Sequence, residues 1–265
     1  VVYDDENSQK FQALGKRTLE EAAKMASAVD VRMLTQSRLA TNITNGIIHA
    51  FKEYDASEII MGLHEKKTDG DKFWGIFTPD LVNQLNRQII LCRCNRPLNT
   101  LRRILVAVPS RVEFEQGFYR WIERLARLAE NLSCRIIFHG RIESTSLINE
   151  YIRNQHPGVR AEYVLMEHWK EFTQLAQQMS SDHMLVVISA RQGTVSYKPV
   201  FERLPLELYR HYHEHNLMVV FPDQNGQSPE DMTFTAPQHH SVDSAYSSIV
   251  NWVMNKIDKG RSDAS

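Results

Sequence analysis

The residues with the clearest claim to chemistry lie around Gly62. The run Ile59-Ile60-Met61-Gly62 is aliphatic and ends in glycine, and an amphipathic stretch follows it before a second aliphatic run, Ile89-Ile90-Leu91-Cys92. Strand, glycine loop, helix and strand in that order make the right-handed crossover of α/β proteins. A glycine at such a strand end lets main-chain N–H groups approach a phosphate, and the head of the following helix favours its charge. A small anionic ligand is therefore expected at this loop. The plainer reading is that Gly62 and Gly75 are turn and packing residues.

Other reactive side chains have simpler explanations. His211, His213 and His215 alternate, with His239-His240 further on. Only His211 and His215 share a helical face; they could hold a metal or titrate near neutral pH, yet no cysteine or carboxylate supplies a convincing third ligand. Exposed histidines at a helix C-terminus, where the dipole favours a cation, explain them better. Asp4, Asp5 and Glu6 read as a solvated strand end rather than a carboxylate pair. Cys92 and Cys94 read as core residues rather than a redox couple. No G-x-S-x-G elbow, Walker loop or metalloprotease helix occurs, so no catalytic residue and no metal site is assigned, and the chain is not expected to be an enzyme.

The elements that would position the loop follow from composition and periodicity. The chain has 265 residues, 42% hydrophobic and 24% charged, enough for one large or two small domains with real cores. A net charge of -1 calls for neither nucleic acid nor an anionic surface, and three cysteines in this length fit a reducing cytosol. No apolar run approaches the roughly 20 residues that span a bilayer. Helical stripes are predicted over Ser8–Ala28 and Thr41–Tyr54, the latter capped by Thr41 or Asn42, with a short strand at Val29–Leu34 between them. Asn95-Arg96-Pro97 then breaks the pattern. Beyond it come strands at Ile104–Val108, Arg135–Phe138, Ala161–Met166, His183–Ile188 and Leu217–Phe221. Helices are expected between them over Glu113–Leu132, Ser144–Asn154, Lys170–Met179 and Pro199–His213. A Pro-, Gln- and Ser-rich linker then leads to an apolar stripe over Val242–Ile257.

The two halves repeat one grammar. Ile59–Gly62 aligns with Val186–Ser189, Ile89–Cys92 with Met218–Phe221, and Val1–Tyr3 with Ile136–Phe138. The predicted architecture is α/β: two doubly wound, flavodoxin-like parallel five-stranded sheets of order 3-2-1-4-5 in tandem. Residues 1–96 form the first domain, 97–222 the second, and 223–265 a linker and C-terminal amphipathic helix. The first domain lacks a counterpart of Ile104–Val108 and its helix, so a hole is expected mid-sheet and an upstream segment is expected to precede Val1.

These motifs resemble two universal stress protein domains in tandem. Asp55-Ala56-Ser57-Glu58-Ile59-Ile60-Met61-Gly62 is similar to that family's fourth-strand signature, whose loop has the form G-x2-G-x9-G-[S/T]; Val1–Glu6 resembles the end of its second strand. From Gly62 the spacing places Glu65 at the second glycine, Gly75 at the third and Ile76 at the Ser/Thr, with Thr78 close enough to supply the missing hydroxyl. The resemblance implies ATP or AMP as the nucleotide this loop would hold, at Gly62, Glu65, Gly75, Ile76 and Thr78. A carboxylate at Glu65 would repel phosphate. In the second half Ser189, Gln192 and Glu202 occupy the glycine positions, and Pro109-Ser110 replace the family's aspartate, so that loop is expected to be inactive. The family's domains pair through fifth-strand edges, which predicts a seam between Ile89–Cys92 and Leu217–Phe221.

Tandem domains of this type with degenerate loops are similar to the cytoplasmic C-terminal region of bacterial cation/proton antiporters. That likeness implies a non-catalytic regulatory domain on the cytoplasmic face of the inner membrane, a transporter membrane domain in the same polypeptide and a homodimer. The alternative is a free-standing tandem stress protein that binds ATP or AMP, with weak hydrolysis at most.

Overall fold

Short runs that are apolar at nearly every position form strands covered on both faces. The computed structural model describes residues 1–3, 8–63, 73–75 and 77–224. Its strands are β3 (Glu58–Gly62), β4 (Gln88–Arg93), β5 (Arg103–Ala107), β6 (Arg135–Gly140), β7 (Ala161–Leu165), β8 (His183–Ile188) and β9 (Asn216–Phe221), of which β3 and β7, at the sheet's edges, stay partly exposed. They join in one seven-stranded sheet of order β3-β4-β9-β8-β5-β6-β7. Its pairings are parallel except β4 with β9. Two short strands, β1 (Val2–Tyr3) and β2 (Leu39–Ala40), pair in parallel as a separate two-stranded sheet. The chain is thus α/β with a mostly parallel sheet. Asp4–Glu6, Glu65, Ile76, His239-His240 and the expected helix over Val242–Ile257 lie outside the described residues.

Six α-helices connect these strands among the described residues: α1 (Ser8–Ser27), α2 (Ile43–Glu53), α3 (Thr78–Gln84), α4 (Phe118–Asn131), α5 (Ile142–Gln155) and α6 (Leu204–Tyr212). Asn42 caps α2, its side chain accepting the Asn45 N–H at 3.0 Å. Strand residues alternate between the two faces, as a period of two requires. Ile104, Val106, Ile136 and Phe138 pack with Trp121 and Leu125 of α4 and Ile148 of α5. Leu105, Leu185, Leu217 and Val219 pack on the other side with Leu204, Leu208 and Tyr212 of α6. Leu81, Leu85, Ile89 and Leu91, from before Pro97, belong to that second core as well.

Several local expectations need correction. Val29–Leu34 is not a strand: Asp30 adopts the left-handed conformation at φ 57, and Val29, Val31 and Leu34 stay exposed with no neighbouring strand to cover them. Pairing comes later, at Leu39-Ala40. The helix expected from Glu113 begins only at Phe118, because Val112–Phe114 makes a 3₁₀ turn and Gly117 caps the entry. Trp169–Gln178 and Pro199–Arg203 are 3₁₀ segments rather than α-helix. Cys94 is exposed just past β4 instead of lying in the core, whereas Cys92 is half-buried.

Candidate functional site

Gly62 ends β3, and Leu63 continues the ladder by donating its N–H to the Cys92 carbonyl at 2.7 Å. A Cβ at Gly62 would meet nothing within 4 Å among the described residues, so their packing does not require glycine there. Gly75 differs: its φ of 77 is one that side chains rarely adopt. Leu63 and Phe73, which flank the undescribed part of the loop, are both buried in the core that holds Leu81. The loop's two stems therefore meet, with Trp74 edge-on to Phe221 at 5.9 Å between ring centres. Thr78 is buried at the head of α3. Glu65 and Ile76 lie outside the described residues, so of the five candidate positions the structure places Gly62, Gly75 and Thr78.

The loop after β8, which the sequence aligns with the Gly62 loop, is fully described and is bonded to a neighbouring carboxylate. Ser196 donates its N–H and its hydroxyl to the Glu115 carboxylate at 2.8 and 2.6 Å, and the Gln224 amide donates to the other oxygen at 3.0 Å. Burial pushes the Glu115 carboxyl upward, but hydrogen bonds from Ser196, Gln224 and Thr194 outweigh it and hold the group below its ordinary value. Ser196 of this loop is thus engaged by a carboxylate of the same chain.

Arg191 lies beside this cluster. It is buried, and its guanidinium donates to main-chain carbonyls of Val82 at 3.2 Å, of Arg87 at 2.5 Å and of Pro222. Burial lowers its pKa to about 10, against the opposing charges of Asp223 and Glu115, so it remains a cation at neutral pH. Asp223 is buried in turn and pairs with Arg120 of α4. Gly117 is required there, because a Cβ would come within 2.4–2.9 Å of the Asp223 main chain. The network ties the α3–β4 region to α4 and to the loops after β8 and β9.

None of Glu115, Gly117, Arg191 and Asp223 stood out in the sequence. Asp223 follows an aliphatic strand, and Arg191 sits in a loop whose composition resembles any surface turn; burial alone distinguishes them. Of the histidines, His211 approaches Glu207 of its own helix at 3.4 Å, His213 is exposed, and burial lowers the pKa of His215. No group of three metal-ligating side chains exists among the described residues. Burial pushes the Cys92 thiol up to about 12, so it is no nucleophile.

No family model matches the chain, and no curated protein matches it. Solved structures do. A universal stress protein from Archaeoglobus fulgidus DSM 4304 superposes with a TM-score of 0.56 at 14% identity, over 85% of this chain and 86% of that one. A putative universal stress protein from Pseudomonas aeruginosa UCBPP-PA14 gives 0.48 at 16% identity, over 78% of each chain. A functionally unknown protein from Pseudomonas aeruginosa PAO1 gives 0.46 at 17% identity, over 83% of this chain and 79% of that one. The first of these likenesses defines the class: an α/β protein with a universal-stress-protein-like fold. No helix of the described residues is long and apolar enough to cross a membrane.

Proposed function

We propose that the chain is a pair of universal-stress-protein-like half-domains, residues 1–96 and 97–222, working as a non-catalytic regulatory module. The strand order supports the tandem reading: β7-β6-β5-β8-β9 has the order 3-2-1-4-5, and β4 meets β9 antiparallel, as the last strands of two such units would.

The observation that carries the regulatory reading is the Glu115 carboxylate, which packs against the loop after β8 and takes both donors of Ser196. A half-domain that has traded its ligand for an internal carboxylate serves as a fixed partner, leaving the Gly62 loop as the variable one. Following the likeness of the tandem motifs, the process controlled is exchange by a bacterial monovalent cation/proton antiporter, with the membrane domain in the same polypeptide. The module would bias its ion pathway through the rigid joint at Arg191.

Exchange of sodium or potassium for protons, measured in vesicles containing the complete polypeptide with and without Arg191→Met, tests this. A change of about fivefold or more in rate at fixed pH is expected; identical rates would remove the regulatory reading. A second reading, nucleotide binding at the Gly62 loop, draws support from the open surroundings of Gly62. Calorimetric heat with millimolar ATP or AMP, lost in Gly75→Trp, would favour it.

A further inference from the structure

At the amino ends of the central strands, register places a row of basic side chains on one face of the sheet. Arg135 of β6 pairs with Arg103 of β5, and Arg103 with His183 of β8. Met184 pairs in parallel with Asn216, which brings His215, the residue before β9, beside His183. Arg103, His183 and His215 each come two residues before a leucine of the second core, Leu105, Leu185 and Leu217, and so share its face. His183 is buried, and its Nδ1 accepts the Ser180 main-chain N–H at 3.2 Å. A ring nitrogen that accepts carries no proton, so this bond belongs to the neutral imidazole. His215 is half-buried, and its Nδ1 is buried without a hydrogen bond among the described residues. The turn that carries it, between α6 and β9, is gripped by the segment leading from β4 toward β5. Arg93 donates to the Tyr212 carbonyl at 2.8 Å, and the Asn95 amide donates to the His213 and His215 carbonyls at 3.0 and 3.4 Å. The Arg96 N–H donates to the Asn216 side chain at 2.8 Å, and that side chain donates back to the Arg96 carbonyl at 3.0 Å.

We propose that His183 and His215 make this grip an acid-released clasp: neutral, they let it close; protonated, they drive the Arg93–Arg96 segment off the α6–β9 turn. The groups facing the pair are mostly basic. Arg103 and Asp182 face His183, while Arg93, Arg96, His213 and Glu214 face His215. Each acid is shared with another basic group, Asp182 with Arg102 at 3.5 Å and Glu214 with His213 at 3.8 Å. A proton on either ring therefore meets the other ring as well as these arginines. Burial first, then Arg103 and His215, holds the His183 pKa below its ordinary value of 6.5 against the pull of Asp182. Burial, with His213, Arg93 and Arg96, does the same at His215 against Glu214. Opening the clasp takes Arg93 and Arg96 away and lets water reach the rings, which returns them toward 6.5, so the open form takes up protons. The closed form is unpenalised above 6.5 and loses ground as pH falls from there through the lowered closed values. Loss of the Ser180 bond on protonation adds to the release.

Hydrogen exchange tests the clasp. Between about pH 7.5 and about pH 5.5 the protection factor of the Arg96 amide, corrected for intrinsic rate, should fall about tenfold or more, while those of Leu105 and Ile137 stay level. With His183→Asn and His215→Asn together, whose side-chain oxygens can accept the Nδ1 bond but take no proton, Arg96 should keep its protection across the same range. Equal protection of Arg96 in the parent at both pH values would overturn the proposal. So would a loss in the double variant as large as in the parent, or an equal loss at Leu105 and Ile137, which would mark general acid unfolding. Titration of the parent's histidine ring protons by NMR decides the matter should the double variant fail to fold. Both rings should titrate below 6.5, and a midpoint at or above that value for either would overturn the clasp.

Discussion

Glu115 holds the second loop closed by being charged. Its carboxyl lies below its ordinary value of 4.5, so the stabilisation it gives is complete above that value and is lost as pH falls through the lower folded value. Glu115→Gln keeps the shape but leaves one neutral acceptor oxygen in place of two, so either Ser196 or Gln224 faces an NH2 donor, which should cost about 1–2 kcal/mol at pH 7. Urea midpoints of the two proteins should converge as pH drops below 4.5, where the native carboxyl is also protonated. Gly117 makes a steric demand rather than an electrostatic one. Gly117→Ala forces a methyl against the Asp223 main chain and should destabilise by about 1–3 kcal/mol, with no pH dependence of its own. This is also the scale at which the sequence was least readable. Gly62 could be singled out because glycine after an aliphatic run has few uses, and Gly75 by its spacing from Gly62 in the resembled loop, whereas Glu115 and Arg191 look like surface residues until the packing around them is known.

The strands were readable for the opposite reason. Ile89–Cys92 and Leu217–Phe221 are apolar on both faces, which only a central position satisfies, and they meet at the expected seam, in an antiparallel pairing that the residues themselves did not indicate. Val29–Leu34 carries similar residues but lacks a neighbour, and aliphatic content alone could not reveal that. The 3₁₀ geometry of Trp169–Gln178 was equally hidden, since its apolar spacing also suits an α-helix. The seam itself can be probed at Leu91, which is fully buried between Val219 and the second core. Leu91→Ala should cost about 2–5 kcal/mol, as core truncations do. Cys94→Ser, one turn of chain beyond the same strand but exposed, should leave the urea midpoint within about 0.5 kcal/mol of the parent.

Taken whole, the molecule places β3 and β4 on one sheet with β5–β9, and the second core draws Leu81, Leu85, Ile89 and Leu91 together with Leu185, Leu217 and Tyr212. Arg191 reinforces the joint, because its guanidinium ties Val82 and Arg87 of one half to Pro222 of the other. Arg191→Met would leave those carbonyls unsatisfied and the carboxylates of Asp223 and Glu115 without their buried cation, a loss of about 3–5 kcal/mol. Hydrogen exchange followed by mass spectrometry should show the consequence as a pattern across the molecule. In the parent, amides of Gln88–Arg93 should exchange as slowly as those of His183–Ile188, since both strands have a partner on each side. In Arg191→Met, β3 and β4 should gain exchange first while β5 and β6 keep their protection. Uniform acceleration of every strand would instead mean that Arg191 stabilises the sheet as a whole and does not act as the joint between its halves.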